Sequence, residues 1–222
     1  MNRDDPHGLP AMTLTTAHLS VSLDGFVAGP EQTLADPLGR GAEALHRWMF
    51  DSDLEVDARW AKRILPPAGG VYVMGRNMYG PVRGAWSSCD GPDGGPWRGW
   101  WGEDPPYHAP VFVLTHHEHE PIEMAGGTTF HFVTGGFAEA LRLARAAGNG
   151  DVDIAGGASV VRQALAAGAL DELTLDVAPV LLHAGERIFD GTVDVRLEPV
   201  EAEHSPWATH VRYAVIRPGG PD

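Results

Sequence analysis

The run Val152-Asp153-Ile154-Ala155, followed by Gly156-Gly157 and then by Val160, Val161, Ala164 and Leu165, constrains this chain more than any other stretch. A short apolar strand that turns through two glycines into a helix with one apolar face belongs to an α/β unit. Glycine at such a turn lets backbone approach a ligand, and the N–H groups of the first helical turn, with the helix dipole, favour a phosphate. Glycine there also serves a turn that needs only positive φ or close packing, so both readings stand. No lysine follows, as a nucleotide P-loop requires, and no Gly-x-Gly-x-x-Gly dinucleotide fingerprint occurs.

The rest of the chain extends the same pattern. Leu14 to Leu23 reads as a strand, continued by Phe26-Val27-Ala28 after a turn or bulge at Asp24-Gly25. Between Ala42 and Ile64, Leu45, Trp48, Met49, Val56, Trp60 and Ile64 recur at helical spacing, as one helix or two broken ones, and Pro66-Pro67 ends the run. Val71 to Met74, Val111 to Leu114 and Thr128 to Val133 read as strands, and Phe137 to Ala147 as a helix that stops at Gly148. Leu173 to Val180, Val193 to Val200 and Thr209 to Ile216 supply further strands. The interleaving predicts an α/β fold: a mixed, mostly parallel sheet with an antiparallel C-terminal edge and helices on both faces. In such sheets ligands bind beyond the C-terminal ends of parallel strands, which gathers the residues after Met74, Leu114 and Ala155 on one edge.

Composition narrows the classes. Hydrophobic residues make up 43% and charged residues 21%, enough for a sizeable core and unlike a disordered chain. A net charge of −14 disfavours nucleic acid and anionic membrane surfaces as partners, so an anionic ligand needs a local site. The lone cysteine, Cys89, excludes an internal disulfide or a cysteine-built zinc site and fits a reducing cytoplasm. No run approaches the roughly 20 apolar residues of a membrane span, and the first residues lack a signal-peptide pattern. Residues 1–12 read as a tail, and 83–110, crowded with Gly, Pro and Trp, as a long ordered loop.

Several side chains could carry chemistry. Arg76, after a buried strand, offers a forked guanidinium to a phosphate or a flat cation to an adenine, or is simply a surface arginine in a turn. Thr115 and His116 close the next strand with a hydroxyl and an imidazole. His116, His117 and His119 lack a recognised metal-ligand spacing, so no metal is assigned. There is no Gly-x-Ser-x-Gly elbow for hydrolysis, and Cys89 has no helix to activate it.

Taken in order, Ser20-Val21-Ser22-Leu23-Asp24-Gly25-Phe26-Val27-Ala28, Val71 to Met78, Val111 to Thr115, Asp153 to Ser159 and Leu170 to Val180 resemble the dihydrofolate reductase-like superfamily. The branch is that of the RibD C-terminal reductase domain of riboflavin biosynthesis, and the resemblance covers 13–217 as a single domain. It implies the three-layer dihydrofolate reductase-like fold and NADPH as cofactor. Ser20, Val21, Val27 and Ala28 would flank the nicotinamide. Gly75, Arg76, Asn77 and Met78 would hold the adenosine side, with Arg76 at the 2′-phosphate. Leu114, Thr115 and His116 would close on the adenine ribose, and Ala155, Gly156, Gly157, Ala158, Ser159 and Val160 would lie under the pyrophosphate.

For the substrate, Trp86 and Trp101 would wall a flat heterocycle, although tryptophans of this loop could equally bury a dimer contact. Where RibD reductases carry a substrate-binding glutamate, this chain has Ile154 or Ala155, with Ile154 taken as a substrate contact. Asp24 is the candidate for proton handling or substrate orientation, with a turn-stabilising aspartate as its plain alternative. Glu43, Asp51 and Asp53 lie where dihydrofolate reductases place an acid, without a spacing that selects one. The expected activity is hydride transfer from NADPH to a small, pteridine- or pyrimidine-like molecule by a cytoplasmic homodimer; the alternative is a binding protein on the same fold without turnover.

Overall fold

The computed structural model describes residues 13–64, 70–80, 84–86, 91 and 94–217. Strands β1 (Thr15–Ser22), β3 (Val71–Gly75), β4 (Pro110–Leu114), β6 (Thr129–Val133), β7 (Val152–Gly156) and β8 (Glu172–Ala178) form a parallel array in the order β8-β1-β7-β3-β4-β6. The hairpin β10 (Arg196–His204) and β11 (Thr209–Ile216) adds antiparallel strands beside β8, and the short β5 (Ile122–Glu123) closes the other edge. A two-stranded ladder of β2 (Phe26–Ala28) and β9 (Glu186–Arg187) lies apart from this nine-stranded sheet. The mixed sheet with an antiparallel C-terminal edge is therefore as the sequence pattern predicts.

One face is apolar. Helix α4 (Gly136–Ala147) buries Phe137, Ala140, Leu141 and Ala144, and helix α5 (Ala158–Ala166) buries Val160, Val161, Ala164 and Leu165. Both stripes recur at three- and four-residue spacing and meet Ala17, Val21, Val73, Ile154 and Leu173 from the sheet. Burying such a stripe is the main force that holds a helix to a sheet.

The opposite face is divided. The expected helix between 42 and 64 is broken: a 3-10 turn at Ala42–His46 leads into α1 (Arg47–Phe50), and α2 (Glu55–Ala61) follows after a gap. Pro66 and Pro67 lie outside the described residues. This layer buries Trp48 and Trp60 over the β1, β8 and β11 side of the sheet. Over β3, β4 and β6 lies the tryptophan-bearing loop, whose described residues between 84 and 109 include buried Trp97 against Tyr72, Met74, Tyr79 and Phe130. The final hairpin departs from expectation in one respect: β10 begins at Arg196 and runs to His204, with a register shift between Pro199 and Glu201.

Candidate functional site

The sheet itself opens where a ligand can enter. β1 pairs with β8 over seven consecutive positions, Thr16 to Ser22, but with β7 only at Thr15–Val152 and Thr16–Asp153. Beyond that rung the ladder between β1 and β7 ends, so Leu19 to Ser22 and Ala155 to Gly157 flank a gap at the C-terminal edge. A parting of neighbouring parallel strands at this edge is where open α/β sheets take their ligands.

Two strand ends, those of β3 and β7, meet beside the gap. Gly75 closes β3 against Gly157 and Val160: a Cβ at Gly75 would lie 3.1 Å from Val160 Cγ2 and 3.6 Å from Gly157 N. Gly156 adopts φ +127° and lies beside Leu19 and Met78, the Gly156–Gly157 peptide is cis, and a Cβ on Gly157 would meet nothing within 4 Å. Only glycine holds such a φ without strain. The open space at Gly157 lies at the start of α5, where the first two N–H groups, those of Ala158 and Ser159, have no partner within the helix, while the Val160 N–H donates to the Gly157 carbonyl at 3.0 Å. This cradle fits a nucleotide pyrophosphate.

Arg76 begins the single-turn helix α3 (Arg76–Tyr79), and its guanidinium lies 3.2 Å from the centroid of the Trp86 ring. Trp86 packs on Tyr79, Phe132 and His119 and donates its indole N–H to the His117 carbonyl at 2.9 Å. Trp100 donates to the Met78 carbonyl at 3.0 Å and Trp97 to the Tyr79 carbonyl at 2.8 Å. The loop is thereby pinned to α3. At the end of β4, half-buried Leu114 leads into Thr115, whose buried hydroxyl accepts from the His117 N–H at 3.1 Å, while His116 is exposed. Asn77 and Ser159 are exposed, and Ala158 is buried at the start of α5.

The geometry corrects several sequence expectations. Trp86 stands with Arg76 and His117, on the β3–β4 side. Ile154 is fully buried in the apolar core against α4 and α5, so no substrate can touch its side chain; strand alternation turns Ala155 to the other face instead. Ser20 uses its hydroxyl to accept the Trp48 indole N–H at 2.9 Å, and Val21 belongs to the apolar core. Trp101 is 53% exposed, and the nearby Tyr107 ring packs on Tyr72. Val27 is half-buried and Ala28 buried in β2.

Asp24 is a structural tie. It accepts from the Ser22 hydroxyl at 2.6 Å and from the Leu182 and His183 N–H groups at 3.1 and 2.7 Å. Desolvation opposes its charge, but these hydrogen bonds win and hold its carboxyl down to about 2. It is therefore a carboxylate at neutral pH and cannot donate a proton. The plain alternative, an aspartate that fixes a turn, is what the structure contains.

Buried polar residues beyond these candidates line the face of β1 that α1 and α2 cover. Asp57 of α2 accepts from the Ser52 hydroxyl at 2.5 Å and meets His210 Nε2 at 2.8 Å. His210 Nδ1 lies 2.7 Å from Asp176 Oδ1, and Asp176 Oδ2 lies 2.7 Å from His18 Nε2. Both carboxylates hold the His210 imidazole in its charged form against the cost of burial. Next to this chain, Asp153 receives the Thr16 hydroxyl at 3.1 Å, and burial pushes its carboxyl up to about 7 against the pull of Thr16 and His18. The signal for these residues is present in the sequence as polar residues at every second position of β1 and β8: Thr16, His18, Ser20 and Ser22, and Thr174 and Asp176. By contrast Glu43, Asp51 and Asp53 are all exposed.

Cys89 lies outside the described residues. Among the described residues no group of three or more His, Cys, Asp or Glu side chains is placed to hold a metal ion, and no helix is long and apolar enough to cross a membrane.

The fold recurs in solved structures. A protein assigned to riboflavin biosynthesis from Shewanella sp. PV-4 aligns with a TM-score of 0.64 at 20% identity, over 92% of this chain and 100% of that one. A pyrimidine reductase-like protein from Corynebacterium diphtheriae aligns with a TM-score of 0.52 at 16% identity, over 93% of each chain. A diaminohydroxyphosphoribosylaminopyrimidine deaminase/5-amino-6-(5-phosphoribosylamino)uracil reductase from Thermotoga maritima gives 0.52 at 13% identity, over 92% of this chain and 57% of that one. No curated protein sequence matches. The model of the RibD C-terminal domain matches residues 14–211, nearly all of the parallel sheet and its cradle, and the chain belongs to that family.

Proposed function

We propose that this protein is an NADPH-dependent reductase of a small, flat heterocycle of the pteridine or pyrimidine kind. The observation that carries the reading is the parting of β1 from β7 beyond Thr16–Asp153, directly beside the glycine cradle of Gly75, Gly156 and Gly157. When bound, a reduced nicotinamide supplies hydride. The chain's own part is to seat the pyrophosphate on the cradle and the first turn of α5. Arg76, braced on Trp86, offers a cation for the 2′-phosphate that distinguishes NADPH from NADH. Thr115 and His116 border the same side, and backbone at Ser20, Val21, Val27 and Ala28 borders the nicotinamide end.

The family and the reductase descriptions of two similar structures support the reading. On the substrate side, Thr16, Asp153 and His18 form a polar floor whose bonds to one another and to Asp176 leave His18 Nδ1 over, which suits a ligand with ring nitrogens or carbonyl groups. The experiment is NADPH oxidation at the nicotinamide absorbance with 7,8-dihydropterin, aminouracil and quinone acceptors. Turnover with a heterocycle is the expected result. Tight NADPH binding without oxidation by any acceptor would favour a binding protein instead.

A further inference from the structure

Reduction of a C=N or C=O bond needs a hydride at carbon and a proton at the heteroatom. Asp24 is committed as a carboxylate and cannot give that proton. A different side chain stands beside the point where the β1–β7 pairing ends. β1 and β7 last pair at Thr16–Asp153, and His18 is the next residue of β1 on the same face, the first beyond the parting. Its side chain is only 6% exposed. One ring nitrogen, Nε2, is held by Asp176 at 2.7 Å, and no hydrogen bond involves the other, Nδ1, among the described residues.

The groups packed around this ring explain its orientation. Asp176 of β8 faces Nε2, Trp48 stacks at 6.4 Å between centroids, and Asp153 of β7 lies close enough to feel the ring's charge. Behind Asp176 stand His210 of β11, bonded to it at 2.7 Å, and Asp57 of α2, bonded to His210 at 2.8 Å; His46 lies within the field of Asp176. A carboxylate can only accept, so Asp176 obliges His18 to carry its first proton on Nε2. A second proton can then reside only on Nδ1.

We propose that His18 is the proton donor of the reductase, acting through Nδ1, and that Asp176, His210 and Asp57 are positioning residues that fix its ring. The assignment rests on the reductase reading given above. In the balanced step, a bound reduced nicotinamide would supply the hydride of the new C–H bond as the π pair of the C=N or C=O bond moves to the heteroatom. His18 would give its Nδ1 proton to that heteroatom, keep its other proton on Nε2, and recover the lost one from water once the oxidised nucleotide is released.

Two readouts test this on the whole protein. The first needs no turnover: histidine-selective 15N NMR reads the ring nitrogens directly. Neutral His18 is expected as the Nε2–H tautomer, and Asp176→Asn is expected to mix the two tautomers while His18 remains in place. A neutral His18 with its proton on Nδ1 overturns the proposal. The second is single-turnover oxidation of NADPH by 7,8-dihydropterin, a C=N probe, and by phenanthrenequinone, a C=O probe. His18→Ala is expected to slow it about 10²-fold or more while NADPH affinity stays within about twofold. Added imidazole is expected to restore the rate in proportion to its protonated fraction, which a purely structural role would not produce.

His18→Gln tests the same point in a variant that keeps most of the side chain's volume, so that misfolding of the alanine protein cannot decide the matter; it should remain slow. An unchanged rate in His18→Gln contradicts the proposal. Wild-type protein that does not bind NADPH, or binds it and reduces neither probe, would instead remove the reductase reading, and this assignment with it.

Discussion

The Thr16 hydroxyl donates to the Asp153 carboxylate at 3.1 Å on the last rung at which β1 and β7 pair, so a buried acid marks the point where the sheet opens. Burial pushes that acid up to about 7 from an ordinary value of 3.8. The folded state therefore binds this proton more tightly than the unfolded chain. The stability this adds is complete below about pH 4 and is lost as pH rises through about 7. Asp153→Asn should flatten that part of the pH profile. Urea unfolding at pH 5 and pH 8 should find the wild type losing on the order of 3 kcal/mol relative to the variant between the two. Parallel profiles would contradict the buried proton.

Asp24 works in the opposite sense. Its folded pKa of about 2 lies below 3.8, so its contribution is present above about pH 4 and is lost as pH falls through 2. Asp24→Asn should release the Leu182–His183 segment, seen as faster amide exchange at these two residues. The rate of any reduction at pH 7 should change far less than with His18 variants. A pH-dependent loss of proton transfer on Asp24→Asn would restore Asp24 as an acid.

His210 is completely buried between Asp57 and Asp176. His210→Gln removes the cation and leaves two carboxylates facing each other, a change that typically costs about 3–5 kcal/mol. Its folded pKa is raised, so the contribution is full below the ordinary histidine value and fades as pH climbs through the folded one. Thermal melts should separate variant from wild type more at pH 6 than at pH 9. A constant separation would mean that His210 is not charged in the fold.

Arg76→Ala should weaken NADPH by about 10-fold or more while changing NADH by less than about threefold, because only NADPH has the 2′-phosphate that a guanidinium can grip. Titration of the variant with both nucleotides checks this. Equal losses would mean that Arg76 serves only to brace Trp86.

The sheet and its cradle were legible because they rest on strong local signals. Val71 to Met74, buried on both faces, is uninterrupted apolar sequence, α4 and α5 show apolar spacing, and Gly156-Gly157 punctuates strand and helix. Ile154 was misread because neighbouring residues of a strand face opposite sides, and position along the sequence did not say which side held the gap. Asp24 looked chemical because Asp-Gly at a strand end suits both a turn and a site; only Leu182 and His183, distant in sequence, decide between them. The pairing of His18, Asp176, His210 and Asp57 depends on strand order, with β8 inserted between β1 and β11, and no local pattern encodes that order. Trp86 likewise owes its place beside Arg76 to long-range packing.

The most direct test of the account is a titration of the purified protein with NADPH and, in parallel, NADH, followed by quenching of tryptophan emission and enhancement of nicotinamide emission. Saturable binding that prefers NADPH by about tenfold or more is the predicted result, since under the proposed reading the glycine cradle would serve both nucleotides and Arg76 only one. Failure of both nucleotides to bind would contradict the account at its centre, because the gap between β1 and β7 would then have another occupant.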